Sequence, residues 1–92
     1  MIISTPNDLF NLYNLNETIE IQIHQLFNTH SDKILKVING LFYKIHKNPT
    51  IGLHINKNNY LIKNEIQLLK IEIYIYYANK PLEILGIRTK GL

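Results

Sequence analysis

The stretch IEIYIYYANKPLEILGIR, residues 71–88, alternates apolar and polar side chains, pauses at Ala78-Asn79-Lys80-Pro81, and resumes the alternation. A period of two is the signature of a strand, and a pause made of turn formers between two such runs is the signature of a hairpin. A two-residue turn at Asn79-Lys80 pairs Ala78 with Pro81, Tyr77 with Leu82 and Ile75 with Ile84, and sets Ile73 opposite Gly86. One face of the ribbon then carries Ile71, Ile73, Ile75, Tyr77, Leu82 and Ile84. The other carries Glu72, Tyr74, Tyr76, Glu83, Leu85 and Ile87. The first face demands a cover. Pro81 donates no ladder hydrogen bond, so the last strand belongs at an edge.

The cover is encoded upstream. In residues 31–46, Ile34, Leu35, Ile38, Leu41, Phe42 and Ile45 recur at helical spacing and form one broad apolar face. Ser31 is placed to cap this helix, and Asn48-Pro49 stops it. Burying each of those six side chains contributes roughly 1.5–3 kcal/mol before conformational entropy is charged, which makes this helix the centre of the core. Thr5-Pro6-Asn7-Asp8 reads as the start of a shorter helix with Leu9, Leu12 and Tyr13 on one face, ending near Asn14 and Asn16. Residues 17–27 are ambiguous. Ile19, Ile21 and Ile23 alternate with polar residues as in a strand, while Ile19, Ile23, Leu26 and Phe27 also fit a helix. The polar link that follows favours helix through Phe27, with an extra strand as the alternative.

Further strands precede the hairpin. Ile51, Leu53 and Ile55 alternate with Gly52, His54 and Asn56. Lys57-Asn58-Asn59 is a turn, Tyr60 to Lys63 returns, Asn64-Glu65 turns or bulges, and residues 66–77 extend again. The expected fold class is α+β. Two or three N-terminal helical segments pack on one face of a C-terminal antiparallel β-meander of three to four strands, in a single domain over residues 1–92. A chain of 92 residues has a limited core.

Ten basic residues, only one of them Arg, stand against seven acidic ones. Residues 1–32 hold Asp8, Glu17, Glu20 and Asp32 and no Lys or Arg, a net −4, while residues 33–92 hold all ten basic residues against three Glu, a net +7. A basic half points toward an anionic partner or toward head-to-tail self-association. Lys33, Lys36, Lys44 and Lys47 fall together with Gly40 on the helix side opposite the apolar face and could lie along phosphates. Lys70, Arg88 and Lys90 flank Tyr74 and Tyr76, and aromatic residues among basic ones can stack on unpaired bases. The abundance of Ile, Asn and Lys also fits an A/T-rich coding sequence such as those of phages and plasmids, which is a compositional association.

Few chemistries have candidates. Without cysteine there is no disulfide framework and no thiolate metal site. His24, His30, His46 and His54 match no zinc spacing, so neither a metal nor another cofactor is expected. Ser4 and Ser31 both sit at helix starts, the glycines are isolated, and the carboxylates are dispersed. Catalytic residues are therefore assigned to none of them. Residues 1–4 lack a basic leader, and no apolar run is long enough to span a membrane, so a cytoplasmic location is expected.

The order of elements, with a short first strand, two helices and a meander ending in IYIYYANKPLEILGIRTK, resembles the layout of RelE/HigB-type toxins. Those are small basic endoribonucleases that cut mRNA on the ribosome. The resemblance implies that Arg88, Lys70, Tyr76, Lys90 and His54 position RNA, assist attack by the 2′-hydroxyl and stabilise the phosphorane.

The residues themselves favour another function. The second face of the hairpin is less polar than a solvent-facing sheet surface, and such a patch on a small protein suggests a partner. The expectation is a non-catalytic interaction protein, a regulator or inhibitor of phage or plasmid type. It binds a protein partner or itself through Tyr74, Tyr76, Leu85 and Ile87 and the exposed edge. The alternative is an RNA-binding or RelE-like mRNA endonuclease domain using the basic C-terminal half.

Overall fold

The computed structural model describes residues 2–92; Met1, where the reading of residues 1–4 begins, lies outside them. Three helices, α1 (Pro6–Phe10), α2 (Glu17–His30) and α3 (Asp32–Lys47), precede four strands, β1 (Leu53–Asn56), β2 (Asn59–Ile66), β3 (Ile71–Asn79) and β4 (Leu82–Gly91). The strands form one antiparallel sheet in the order β1-β2-β3-β4, a pure meander. The α+β layout read from the sequence is therefore present. The short first strand of the toxin-like layout is not: residues 2–5 form no strand, and Ile3 is buried in the core instead.

The first two helices start where a local polar side chain supplies a partner for free backbone N–H groups. At α1 the Asp8 carboxylate accepts the backbone N–H groups of Ser4 and Thr5, both at 2.9 Å. These hydrogen bonds hold its pKa below the ordinary 3.8. The helix ends earlier than its apolar spacing suggests, leaving Leu12 exposed while Leu9 is fully buried. At α2 the Asn16 side chain accepts from the Ile19 N–H at 2.9 Å, and Glu17 and Glu20 stand in the first turn beside the positive end of the helix dipole. The ambiguous segment is thus helical and runs past Phe27 to His30. Tertiary burial of Ile19 and Ile23 outweighs the β preference of the isoleucines.

Ser31 does not cap α3. It is the single residue between α2 and α3, with φ 65° and ψ −163°, and its side chain makes no capping hydrogen bond. So short a link between helices requires a backbone angle that only glycine adopts easily. All six residues of the apolar face of α3 are buried as its spacing predicts, and Lys44, His46 and Lys47 complete its last turn against the negative dipole end.

One core joins both layers. Leu9, Ile19, Ile23 and the α3 face pack with Ile71, Ile73, Ile75, Tyr77, Ile84 and Ile87 from the sheet. β2 continues straight through Asn64 and Glu65, where a turn or bulge was expected. The reversal comes later, in a 3₁₀ turn at Gln67–Leu69 followed by Lys70 at φ 56°.

The hairpin departs from its expected register. Asn79 pairs with Leu82, so the loop is Lys80-Pro81 and not Asn79-Lys80. Tyr77 then faces Ile84, but Tyr76 faces Gly86 and Ile75 faces Ile87, because Leu85 is an extra residue bulged out of β4. The bulge has a physical logic. A regular ladder with Ile84 inside would next turn Gly86 and Arg88 inward, burying an unpaired guanidinium. With Leu85 inserted, Ile87 goes into the core and Arg88 comes out. Ile87 is only 5% exposed, so its expected place on the outer face is corrected: it belongs to the core.

Candidate interaction face

All three helices contribute their buried residues to the same core as the inward sheet residues, so the opposite side of the sheet is open. Its surface follows from the register. The row Leu53, Leu61, Tyr76 and Gly86 crosses all four strands, with Leu85 of the bulge beside it. Leu53 is 70% exposed, Leu85 is 44% exposed, and Leu61 and Tyr76 are half-buried by their neighbours. On one side of this row lies Lys63, Tyr74 and Arg88, and beyond it Glu65, Glu72 and Lys90. On the other side lies Asn59, Ala78 and Glu83.

Of the four residues expected to form a contact surface, the structure thus gathers Tyr74, Tyr76 and Leu85 and removes Ile87. Sequence reasoning missed Leu53 and Leu61. Their signal was present, since pairing the two strands around the Lys57-Asn58 turn sets them side by side. It also missed Gln22, a polar residue of α2 that reaches the sheet edge. Gln22, Tyr76, Leu85, Gly86 and Arg88 line an open depression of about 470 Å³ at the bulge.

The edge itself is partly closed. The Gln22 side-chain oxygen accepts the Ile87 N–H at 2.9 Å, and the Asn16 amide reaches the Ile84 carbonyl at 3.5 Å. Alpha-helix α2 therefore satisfies β4 where the bulge leaves its edge groups unpaired. The opposite edge strand, β1, is exposed along its length.

On the outer face the Tyr74 hydroxyl donates to the Glu72 carboxylate. That hydrogen bond, followed by desolvation and by the nearby Glu72 and Glu65 charges, raises the phenol above its ordinary pKa of 10.0, because deprotonation would set an anion beside an anion.

The expected cationic residues fall in three places. Lys33, Lys36, Lys44 and Lys47 are all exposed on α3, away from the sheet, with the Lys47 ammonium 5.8 Å from the centre of the Tyr43 ring. Lys70 follows the 3₁₀ turn, and Arg88 and Lys90 stand on the outer face. The set implied by the toxin-like layout is not assembled. His54 pairs with Tyr60, whose ring stacks on that of the buried Tyr77, so it lies on the helix-side face; Tyr76, Arg88 and Lys90 face the other way. Among the described residues no three His, Cys, Asp or Glu side chains group as metal ligands, and no helix is long and apolar enough to cross a membrane.

No family model matches the chain, and neither does any curated protein or solved structure.

Proposed function

We propose that this chain is a small non-catalytic interaction protein that docks a folded protein surface on the outer face of its sheet. One observation carries the reading: the apolar row Leu53, Leu61, Tyr76 and Leu85 crosses the sheet with no element of the described residues over it. Water normally meets a polar face on a sheet whose other side is covered by helices, so an apolar row there favours burial against a partner. Tyr74 and Tyr76 suit such a contact, since aromatic side chains offer large area at little entropic cost and are enriched in interfaces. Arg88 and Lys63 at the margin guide approach. A protein of this kind acts by occupying a surface, as regulators and inhibitors do.

The test replaces Tyr76 and Leu85 together with serine, both in exposed or half-exposed positions. Self-association by sedimentation and capture of a partner by affinity pull-down are expected to weaken sharply while the fold persists. Association unchanged in both measurements would end this reading.

A second reading rests on the lysines of α3. Lys33, Lys36, Lys44 and Lys47 project from the side opposite the buried face, around Gly40 and beside the exposed Tyr43. Such a stripe favours a nucleic-acid backbone. Filter binding to single-stranded RNA at low and high salt tests it: binding must be present at low salt and fall as salt rises, and no binding at low salt rules it out.

A further inference from the structure

We infer that the occupant of the outer face is a second copy of this chain, related by a two-fold axis lying along the row Leu61, Tyr76 and Gly86. This deepens the reading of that face as a docking surface and rests on it.

Charge and register together favour this axis. On each strand the axis row has a neighbour on either side: Asn59 and Lys63 flank Leu61, Ala78 and Tyr74 flank Tyr76, and Glu83 and Arg88 flank Gly86. Beyond the first neighbours lie the two turns, with the exposed Lys57 and Lys80, and beyond the second lie Glu65 and Glu72. A two-fold along the row keeps each strand over its own copy and exchanges the two sides. Glu83 then lies over the partner's Arg88, Glu72 over the partner's Lys80, and Glu65 over the partner's Lys57. Every acidic residue of the face meets a cation, and symmetry repeats each pair. Leu53 meets its own copy, extending the apolar row across the interface.

The other in-plane axis, along the strands, does worse. It exchanges β2 with β4, setting Glu65 against the partner's Lys90 but also Lys63 against the partner's Arg88 and Glu72 against its own copy, it leaves Glu83 without a cation, and it leaves β1 uncovered. Charge thus favours the axis along the row over the axis along β3. Packed sheets cross at about 30°, and the long Glu, Lys and Arg side chains span the resulting offsets.

The size is adequate for a modest dimer. Strands of 4, 8, 9 and 10 residues, at about 3.4 Å per residue and about 4.8 Å spacing, present roughly 500 Å² per copy, about 1,000 Å² in all, at the lower margin of specific interfaces. Interfaces of this size belong to the weak or transient class, so the dimer is sought over a wide concentration range.

Sedimentation equilibrium from about 10 µM to about 1 mM tests the inference on wild type, Glu83→Arg, Arg88→Glu and the combined exchange, with circular dichroism as the fold control. Each single reversal creates two like-charge contacts and is expected to weaken the dimer at least about tenfold, while the combined exchange restores it to within about threefold. A monomeric wild type at the highest concentration overturns the second-copy inference alone. A dimer that ignores the single reversals, or that the combined exchange fails to restore, overturns the axis. A dimer left intact by the Tyr76 and Leu85 double serine variant overturns the docking face on which the inference rests.

Discussion

The backbone N–H of Gly52 donates to the Tyr77 hydroxyl at 2.9 Å, tying the start of β1 to a phenol that is otherwise fully buried. Burial raises the pKa of that phenol above 10.0, only partly opposed by the Gly52 hydrogen bond, so Tyr77 is neutral across the range in which the protein is handled.

Gly52 has no room for a side chain. A Cβ there would stand 2.7 Å from the Leu61 carbonyl oxygen and 2.9 Å from the Tyr77 hydroxyl. Gly52→Ala is expected to push β1 away from β2 and to expose the β1 amides to exchange while the core helices stay protected. Tyr77→Phe removes only the acceptor and is expected to cost about 1–2 kcal/mol in urea denaturation. Amide exchange in β1 of Gly52→Ala matching wild type would contradict the tight contact.

The bulge makes a sharp distinction between neighbours. Ile87 is in the core and Leu85 is outside. Ile87→Asp buries an unpaired carboxylate and is expected to lower stability by about 3 kcal/mol or more. Leu85→Asp is expected to change it by less than about 0.5 kcal/mol. Equal effects of the two changes in thermal or urea denaturation would mean that β4 has no bulge.

This pair also marks how far the sequence could be read. The two-residue period of residues 71–77 and the helical period of α3 each describe a regular element, and both were legible because tertiary packing agreed with them. Ile87 was not, because a bulge leaves no mark in a binary pattern: IEIYIYY and LEILGIR read equally well in either register. What chose the register is long-range, the cost of turning Arg88 inward, with the Ile87 N–H meeting Gln22 more than sixty residues away in sequence. The same limit hid Leu53 and Leu61, which become a row only when the strands are paired. Tyr76 and Leu85 were found because the alternation alone places them outside.

Ser31 joins α2 to α3 at φ 65° and ψ −163°, a region that residues other than glycine occupy at a cost of about 1–3 kcal/mol. Its side chain makes no cap that offsets this. Ser31→Gly relieves the strain but loosens the unfolded chain by about 0.5–1 kcal/mol. The net expectation is a stabilisation of about 1 kcal/mol, read as a higher urea midpoint at unchanged slope. A lower midpoint would show that Ser31 is relaxed.

Asp8 makes the N-terminus acid-sensitive. Its pKa is lowered in the folded chain, first by the Ser4 and then by the Thr5 backbone N–H. A depressed carboxylate contributes stability that is fully present above its unfolded value of 3.8 and is lost as pH falls through the lower folded value. The α1 start is therefore expected to loosen only below about pH 4, and Asp8→Asn is expected to remove that dependence. An NMR titration of the Asp8 carboxyl with a midpoint at or above 3.8 would contradict the capping role.

Gln22 guards the edge of β4. Its side-chain oxygen is the partner of the Ile87 N–H, which the bulge turns away from β3. An N–H left without a partner at a half-buried site costs about 1–3 kcal/mol, and an unpaired edge is a template for strand addition by another chain. Gln22→Leu keeps the size of the side chain and removes the acceptor. It is expected to lower stability by about 1–3 kcal/mol, to speed exchange of the Ile87 amide and to promote concentration-dependent aggregation on warming. Gln22→Glu keeps an acceptor at the same reach and is expected to preserve the slow exchange. If leucine and glutamate at this position gave the same Ile87 exchange rate, the hydrogen bond would not be what closes the edge.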